Sequence, residues 1–193
     1  ITISKAVPIA LAVVFGLCAV TMIGIMVYFS CIDTETDLGS FERIIRFNDI
    51  WGTHRGFMWI RSIWIFGDAS FIEKLFGVGP DMFYSAFSPY FNDLSKYGDS
   101  STNAAHNEYL NYLITIGITG LLSYLAIVCG TIKNAVKYAK ENPMLIACVS
   151  AVICYAVQSV VNLYQPITTP LFFIFIALCE AFVRNAKAEK SAV

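Results

Sequence analysis

Four apolar segments, each close to the length of a membrane-spanning helix, constrain this chain more than any other feature. They cover residues 7–29, 108–132, 144–163 and 167–183. A helix needs about 20 apolar residues to cross the hydrocarbon core. Only 14% of the side chains are charged, against roughly 25% in soluble domains, and the mean hydropathy is +0.64. The sequence therefore predicts an all-α, polytopic membrane helix bundle with four spans.

The basic residues outside the longest loop would share one side of that bundle. Because short cytoplasmic loops are enriched in lysine and arginine, this side should be cytoplasmic. The residues concerned are Lys5, Lys133, Lys137, Lys140, Arg184, Lys187 and Lys190. We expect a first transmembrane helix with a short cytoplasmic lead at 1–30, a large extracytoplasmic loop at 31–105, three transmembrane helices at 106–184 and a cytoplasmic tail at 185–193.

The loop at residues 31–105 is rich in aromatic side chains. It holds all three tryptophans and nine of the fifteen phenylalanines, which predicts short amphipathic helices lying at the membrane surface. The clearest of these covers residues 51–66, with Thr53 as its N-cap, and the glycines of residues 76–83 predict a turn. The six cysteines form no Cys-x-x-Cys pair, so neither a disulfide framework nor a zinc site is predicted.

A histidine and an asparagine open the second apolar segment, which also carries Gly117 and Gly120. We expect His106 and Asn107 in the first helical turn, with His106 on the same stripe as Gly117, eleven residues further on. Small residues let helices approach closely in lipid, so this stripe would face the bundle. A helix N-terminus favours a neutral imidazole, which makes His106 a candidate general base. The alternative is a solvated interfacial histidine with no chemical role.

Two arginines on the predicted helix at 51–66 are candidates for binding an anion. A planar guanidinium matches phosphate oxygens bidentately, and the glycine and threonine before Arg55 place it near a helix start. Arg61 lies on a different face. The alternative interpretation is an interfacial helix whose arginines reach lipid phosphates while its tryptophans anchor it, and both interpretations stay open.

Taken together, these segments resemble the O-antigen ligase and O-antigen polymerase superfamily. Its signature is a histidine, then Asn, Ser or Gln, nine residues, and Gly-x-x-Gly. Here that signature runs from His106 to Gly120, and the upstream Arg-x-x-x-Trp element runs from Arg55 to Trp59. Residues 75–79 resemble the glycine turn that the family carries between the two.

The resemblance implies a membrane glycosyltransferase of the glycosyltransferase C type. Such an enzyme moves a glycan from an undecaprenyl-pyrophosphate carrier to a glycan, lipid or protein acceptor, on the outer face of the bacterial cytoplasmic membrane. It uses neither a nucleotide sugar nor a metal or other cofactor. The resemblance implies His106 as the catalytic base, with Arg55, Arg61 and Asn107 as substrate-binding residues. The family has more spans and a further functional arginine upstream, so we expect this chain to be a fragment that is inactive alone.

Several functions remain open at this point. A surface-polysaccharide repeat-unit polymerase shares the motifs and chemistry of a ligase. A non-catalytic membrane transport or assembly component is an alternative from another class. Transport predicts ionisable residues in mid-span or broken helices at the midplane, and we expect neither in the four segments, except Glu180 near an end. Assembly predicts no dependence on His106. The net charge of −1 gives no indication of nucleic-acid binding.

Overall fold

The chain folds into helices along most of its length. A computed structural model describes the backbone of residues 6–191 and the side chains of residues 13–191; Lys5 and the end of the predicted tail lie outside these residues. Helices make up about three quarters of the described residues, which contain no strand, so the all-α prediction is confirmed. The α-helices are α1 (Ala6–Cys31), α2 (Glu42–Ile45), α3 (Trp51–Asp68), α4 (Phe71–Phe76), α5 (Phe83–Phe87), α6 (Phe91–Leu94), α7 (Glu108–Thr115), α8 (Gly117–Tyr138), α9 (Met144–Gln158) and α10 (Thr168–Ser191), with 3-10 turns at Gly39–Phe41, Ser88–Tyr90 and Ser95–Tyr97.

The helices form two compact units, Ile1–Ile60 and Arg61–Val193. The first unit is built on α1, whose Val13–Cys31 portion has a mean hydropathy of 2.2. That portion is long and apolar enough to cross a membrane. Its side chains are almost all exposed within the chain, as they would be in a helix that faces lipid.

Arg46 holds the segment that follows α1 against the end of that helix. Its Nε donates to Phe29 O (2.9 Å), and its Nη2 donates to Asp33 O (3.2 Å) and Thr36 O (2.8 Å). Its Nη1 donates to both carboxylate oxygens of Glu42, at 2.9 Å each. Carbonyls in the last turn of a helix lack intrahelical partners. The Arg46 guanidinium provides a partner for one of them, Phe29 O, and also holds the turn that follows α1.

In the second unit, α8, α9 and α10 pack against one another. α8 is the other described helix that is long and apolar enough to cross a membrane, with a mean hydropathy of 1.3, whereas the apolar helix α9 is shorter. The helices meet in two neighbouring clusters of buried side chains. One contains Ala135, Leu145, Cys148, Val149, Cys179 and Val183, and the other contains Tyr124, Val128, Val152 and Phe172.

The second predicted span is not one continuous helix, and that prediction is wrong. α7 ends at Thr115, Ile116 has φ −125° and ψ 6°, and α8 begins at Gly117, whose φ is +69°. Helical periodicity does not continue through such a break, so the predicted stripe from His106 to Gly117 does not exist. Hydropathy missed the break because the residues around it are as apolar as the helices they separate.

The loop at residues 31–105 contains the short helices that its aromatic content predicts, α2 to α6. The prediction of Thr53 as an N-cap is wrong. Gly52, Thr53 and His54 have φ of 57°, 57° and 68°, so regular right-handed helix in α3 begins only after them. The Thr53 hydroxyl donates to Gly52 O at 2.6 Å instead of accepting from the helix.

Candidate functional site

The His106–Asn107 pair lies directly before α7. Asn107 has an extended backbone (φ −152°, ψ 112°), and its Oδ1 accepts a hydrogen bond from Leu110 N at 3.0 Å. Asn107 is therefore the N-cap. His106 precedes the helix, so the predicted place of both residues in the first helical turn is wrong.

His106 has a left-handed backbone, with φ of 52°. A non-glycine residue in this region costs about 1–3 kcal/mol and persists only where the surrounding structure fixes it. Here the residues on either side are buried, with exposures of 0% for Ala105 and 8% for Asn107. The Thr102 hydroxyl donates to Ala104 O at 2.8 Å and closes the preceding turn. Both flanks are thus held in place, while His106 itself is only half-buried.

Glu108, the first residue of α7, is a buried carboxylate that sequence reasoning did not select as a site residue. Its side chain is 1% exposed and accepts hydrogen bonds from three hydroxyls: Tyr112 Oη to Oε1 (2.8 Å), and Tyr155 Oη (3.1 Å) and Ser159 Oγ (2.9 Å) to Oε2. Burying a carboxylate is costly unless it is hydrogen-bonded in this way. One feature of the sequence could have identified Glu108: it is a lone acidic residue at the start of an apolar helix, directly after the His-Asn pair.

The break between α7 and α8 is the docking point for the glycine turn of residues 77–79. Val78 N donates to Ile114 O (2.9 Å), and Gly79 N donates to Thr115 O (3.0 Å). These two carbonyls are at the end of α7, where helical partners are missing. The turn therefore contacts the chain at the break that Gly117, the first glycine of the Gly-x-x-Gly element, creates.

Two glycines leave no room for a side chain at this contact. A Cβ on Gly77 would lie 2.3 Å from Thr115 O, and one on Gly117 would lie 2.4 Å from Leu75 O. Thr119 Oγ1 also donates to Leu75 O at 2.7 Å. Close approach of another segment, the role expected of the signature glycines, is found at Gly117, whereas the atoms nearest a Cβ on Gly120 belong to the Ile116 side chain. The partner is a turn and not a second membrane helix.

Arg55 lies at the start of the right-handed part of α3, as the sequence predicts. Its Nη1 donates to Gly52 O (3.0 Å), and Gly56 packs so tightly on the preceding turn that a Cβ there would lie 1.9 Å from Asn48 O. Arg55 Nε and Trp59 Nε1 are buried without a hydrogen-bond acceptor in the part of the chain that the structure describes. Buried polar groups are usually hydrogen-bonded, so these two donors of the Arg-x-x-x-Trp element are exceptions among the described residues.

Arg61 belongs to the second unit, and its guanidinium lies over the Trp64 ring, 4.6 Å from the ring centroid. Such a contact is a cation–π interaction of about 0.5–2 kcal/mol. Arg61 has only a weak electrostatic effect on Asp93. The pKa of the Asp93 carboxyl is lowered chiefly by the Lys96 ammonium, 2.6 Å away, and least by Arg61. One face of the Arg61 guanidinium is thus packed on the Trp64 ring.

No group of three His, Cys, Asp or Glu side chains that could hold a metal ion occurs within residues 13–191. The six cysteines are free thiols, and Cys148 and Cys179 are buried in the helical core. The candidate residues offer an imidazole that can transfer a proton (His106) and guanidinium groups that can bind an anion (Arg55 and Arg61).

Comparison with known proteins agrees with the motifs. A family model described as O-antigen ligase matches residues 3–125, which is more than half of the 193-residue chain. The matched region contains all four predicted site residues: Arg55, Arg61, His106 and Asn107. Searches of curated proteins and of solved structures found no match.

Proposed function

The chain belongs to the O-antigen ligase family, and from this premise we propose that it transfers a glycan from an undecaprenyl-pyrophosphate carrier to an acceptor hydroxyl. Proteins of this family are glycosyltransferase-like enzymes of bacterial membranes that serve polysaccharide biosynthesis. Their partners are lipid-linked glycans and acceptors in general. Beyond these family properties, we propose that the carrier is undecaprenyl pyrophosphate, that His106 and Arg55 act in the transfer, and that the transfer takes place on the outer face of the membrane.

In the proposed reaction, the acceptor oxygen attacks the anomeric carbon while the bond from that carbon to the carrier pyrophosphate breaks. The pyrophosphate leaves with the bonding electrons. His106 takes the proton of the attacking hydroxyl, a contribution of about 10²–10⁴-fold in rate for a positioned base. Its left-handed backbone, fixed between buried neighbours at a helix start, is the observation that carries the proposal, because such strain collects at functional sites.

Arg55 binds the leaving pyrophosphate in this proposal. The departing oxygen gains negative charge, which fixed donors stabilise best when they are already in place. The hydrogen bond to Gly52 O fixes the guanidinium, and the buried Nε has no acceptor within residues 13–191. Arg61 is a second, weaker phosphate ligand, and Asn107 orients His106 through the cap that it provides.

The proposed topology has four spans, with residues 31–105 outside and the basic segments after α8 and α10 inside. It is supported by the segregation of lysine and arginine and by the lengths of α1 and α8. The glycosyltransferase C type of fold, and the need for spans beyond this chain for activity, are part of the same proposal.

Ligase and polymerase remain two versions of this function, because the attack on the anomeric carbon is the same in both. Purified lipid-linked repeat units, supplied with and without a separate acceptor, separate them. Chain growth without a separate acceptor indicates a polymerase, and transfer only to the added acceptor indicates a ligase.

Substitution of His106 tests the proposal directly. In the protein at its native length, in membranes and without nucleotide sugar or metal, His106→Ala should lower transfer by about 10²-fold or more with normal accumulation. His106→Gln should not restore it, because an amide cannot accept a proton near neutral pH.

Two results would contradict the proposal in different ways. Near-normal transfer by His106→Gln would make His106 a binding residue without a base role. Near-normal transfer by His106→Ala would leave the alternative of a non-catalytic transport or assembly component.

A further inference from the structure

Glu108 links the start of α7 to α9 directly and to α10 through Tyr155. The Glu108 backbone N donates to the carbonyl of Ser159 (2.9 Å), and Ser159 directly follows the last turn of α9. Its carboxylate accepts from Tyr155 and Ser159 of the same region, and Tyr155 Oη lies 2.6 Å from Thr169 Oγ1 of α10. The main chain and the side chain of one residue thus fix where α7 begins.

A carboxylate suits this position because it offers lone pairs only. It can accept from three hydroxyls at once, whereas a carboxamide has one acceptor oxygen and an NH₂ group that must find its own acceptor. Removing the side chain would take away the acceptor of the Tyr112 hydroxyl and would leave the Tyr155 and Ser159 hydroxyls with Thr169 Oγ1 and Tyr155 O as partners. The helix start would then move to restore the lost hydrogen bonds.

We propose that Glu108 is a positioning residue that sets the place of His106 through the network of Tyr112, Tyr155 and Ser159. This inference rests on the proposed function of His106. Glu108 is almost fully buried and acts without touching the substrate. Since a displacement of about 1 Å at a reacting group costs roughly 10²-fold in rate, a small shift of the α7 start lowers turnover more than it lowers substrate binding.

The test measures kcat and KM per folded molecule at native protein length, together with thermal unfolding in detergent. Glu108→Ala should lower kcat at least about tenfold with little change in KM. Glu108→Gln preserves size and one acceptor oxygen but loses the other, so its kcat should lie between those of the parent and of Glu108→Ala. Tyr109→Phe is the matched control, because Tyr109 Oη donates to Ala156 O (2.7 Å) across the same two helices without contacting the carboxylate; its kcat should be unchanged.

If Glu108→Ala does not accumulate, Glu108→Asp takes its place. Aspartate is favourable in the first turn of a helix, yet its shorter side chain cannot reach all three hydroxyls. We expect it to fold and to lose about three- to tenfold in kcat.

A double-substitution cycle with His106→Ala separates positioning from a purely structural role. If Glu108 acts through His106, then Glu108→Ala (or Glu108→Asp) should cause little further loss in the His106→Ala background. An equal loss in both backgrounds, or an unchanged kcat per folded molecule, would overturn the inference and leave the base role intact. Normal transfer by His106→Ala alone would overturn the proposed function, and this inference with it.

Discussion

Gly117→Ala should destabilise the second unit by about 2–5 kcal/mol. Gly117 has φ of +69°, a left-handed conformation that costs alanine about 1–2 kcal/mol. Its added Cβ would lie 2.4 Å from Leu75 O and 2.6 Å from Gly77 N. Both obstacles are backbone atoms, so the turn must move away from α8 by more than half an ångström.

That movement has a definite consequence for hydrogen bonding. It stretches the bonds from Val78 N to Ile114 O (2.9 Å) and from Gly79 N to Thr115 O (3.0 Å). Each lost bond costs about 0.5–1.5 kcal/mol. The two bonds and the left-handed strain together give the predicted range.

Two control substitutions separate the strain from the collision. A Cβ on Gly130, in the interior of α8, meets nothing within 4 Å, so Gly130→Ala should be neutral or stabilise by up to about 1 kcal/mol. Gly98 has φ of +95° and also open space around it, so Gly98→Ala should show the strain alone, about 1–2 kcal/mol.

The assay is thermal or denaturant unfolding of the purified protein in detergent. The expected order of stability is Gly130→Ala, then Gly98→Ala, then Gly117→Ala. Equal midpoints for the Gly98 and Gly117 variants would refute the close backbone contact between turn and helix break.

Three further predictions concern the arginines and the topology. Arg46→Ala should cost about 2–4 kcal/mol, because it removes the donors to Phe29 O and its neighbours, and should expose the segment after α1 to proteolysis; unchanged cleavage would contradict this. Arg55→Lys should lose most transfer at native protein length, since an ammonium cannot copy the planar fork, and the matched Arg61→Lys should be milder; equal tolerance would make Arg55 an interface anchor. A cysteine at Asp99 should react with a membrane-impermeant label from outside intact cells, whereas one at Lys137 should not, and the reverse pattern would contradict the topology and the proposed mechanism.

The helices could be predicted from the sequence because burial in lipid or protein is recorded in hydropathy. The all-α class and the short helices of the loop follow from composition and spacing. The break at Ile116 could not be predicted, since the residues that bind the carbonyls exposed there, 77–79, are far away along the chain. Gly-x-x-Gly in an apolar run indicates close approach without saying what approaches.

For the candidate site, the sequence predicted which residue types occur and in what order along the chain, but not their geometry. The Asn107 cap could have been predicted, because asparagine before an acidic first turn is a typical helix start. The three left-handed residues before Arg55 could not, since a threonine there favours a cap. The Glu108 network depends on Tyr155 and Ser159, whose relation to α7 exists only in the folded chain.

Arg55 and His106, the two principal site candidates, share one local arrangement, although they lie in different units. Left-handed backbone marks each of them: residues 52–54 precede Arg55, and His106 is itself left-handed directly before the Asn107 cap. Such a backbone turns the chain sharply into the helix that follows. Because strain of this kind collects at functional sites, a substitution that relieves it should lower activity even where stability rises.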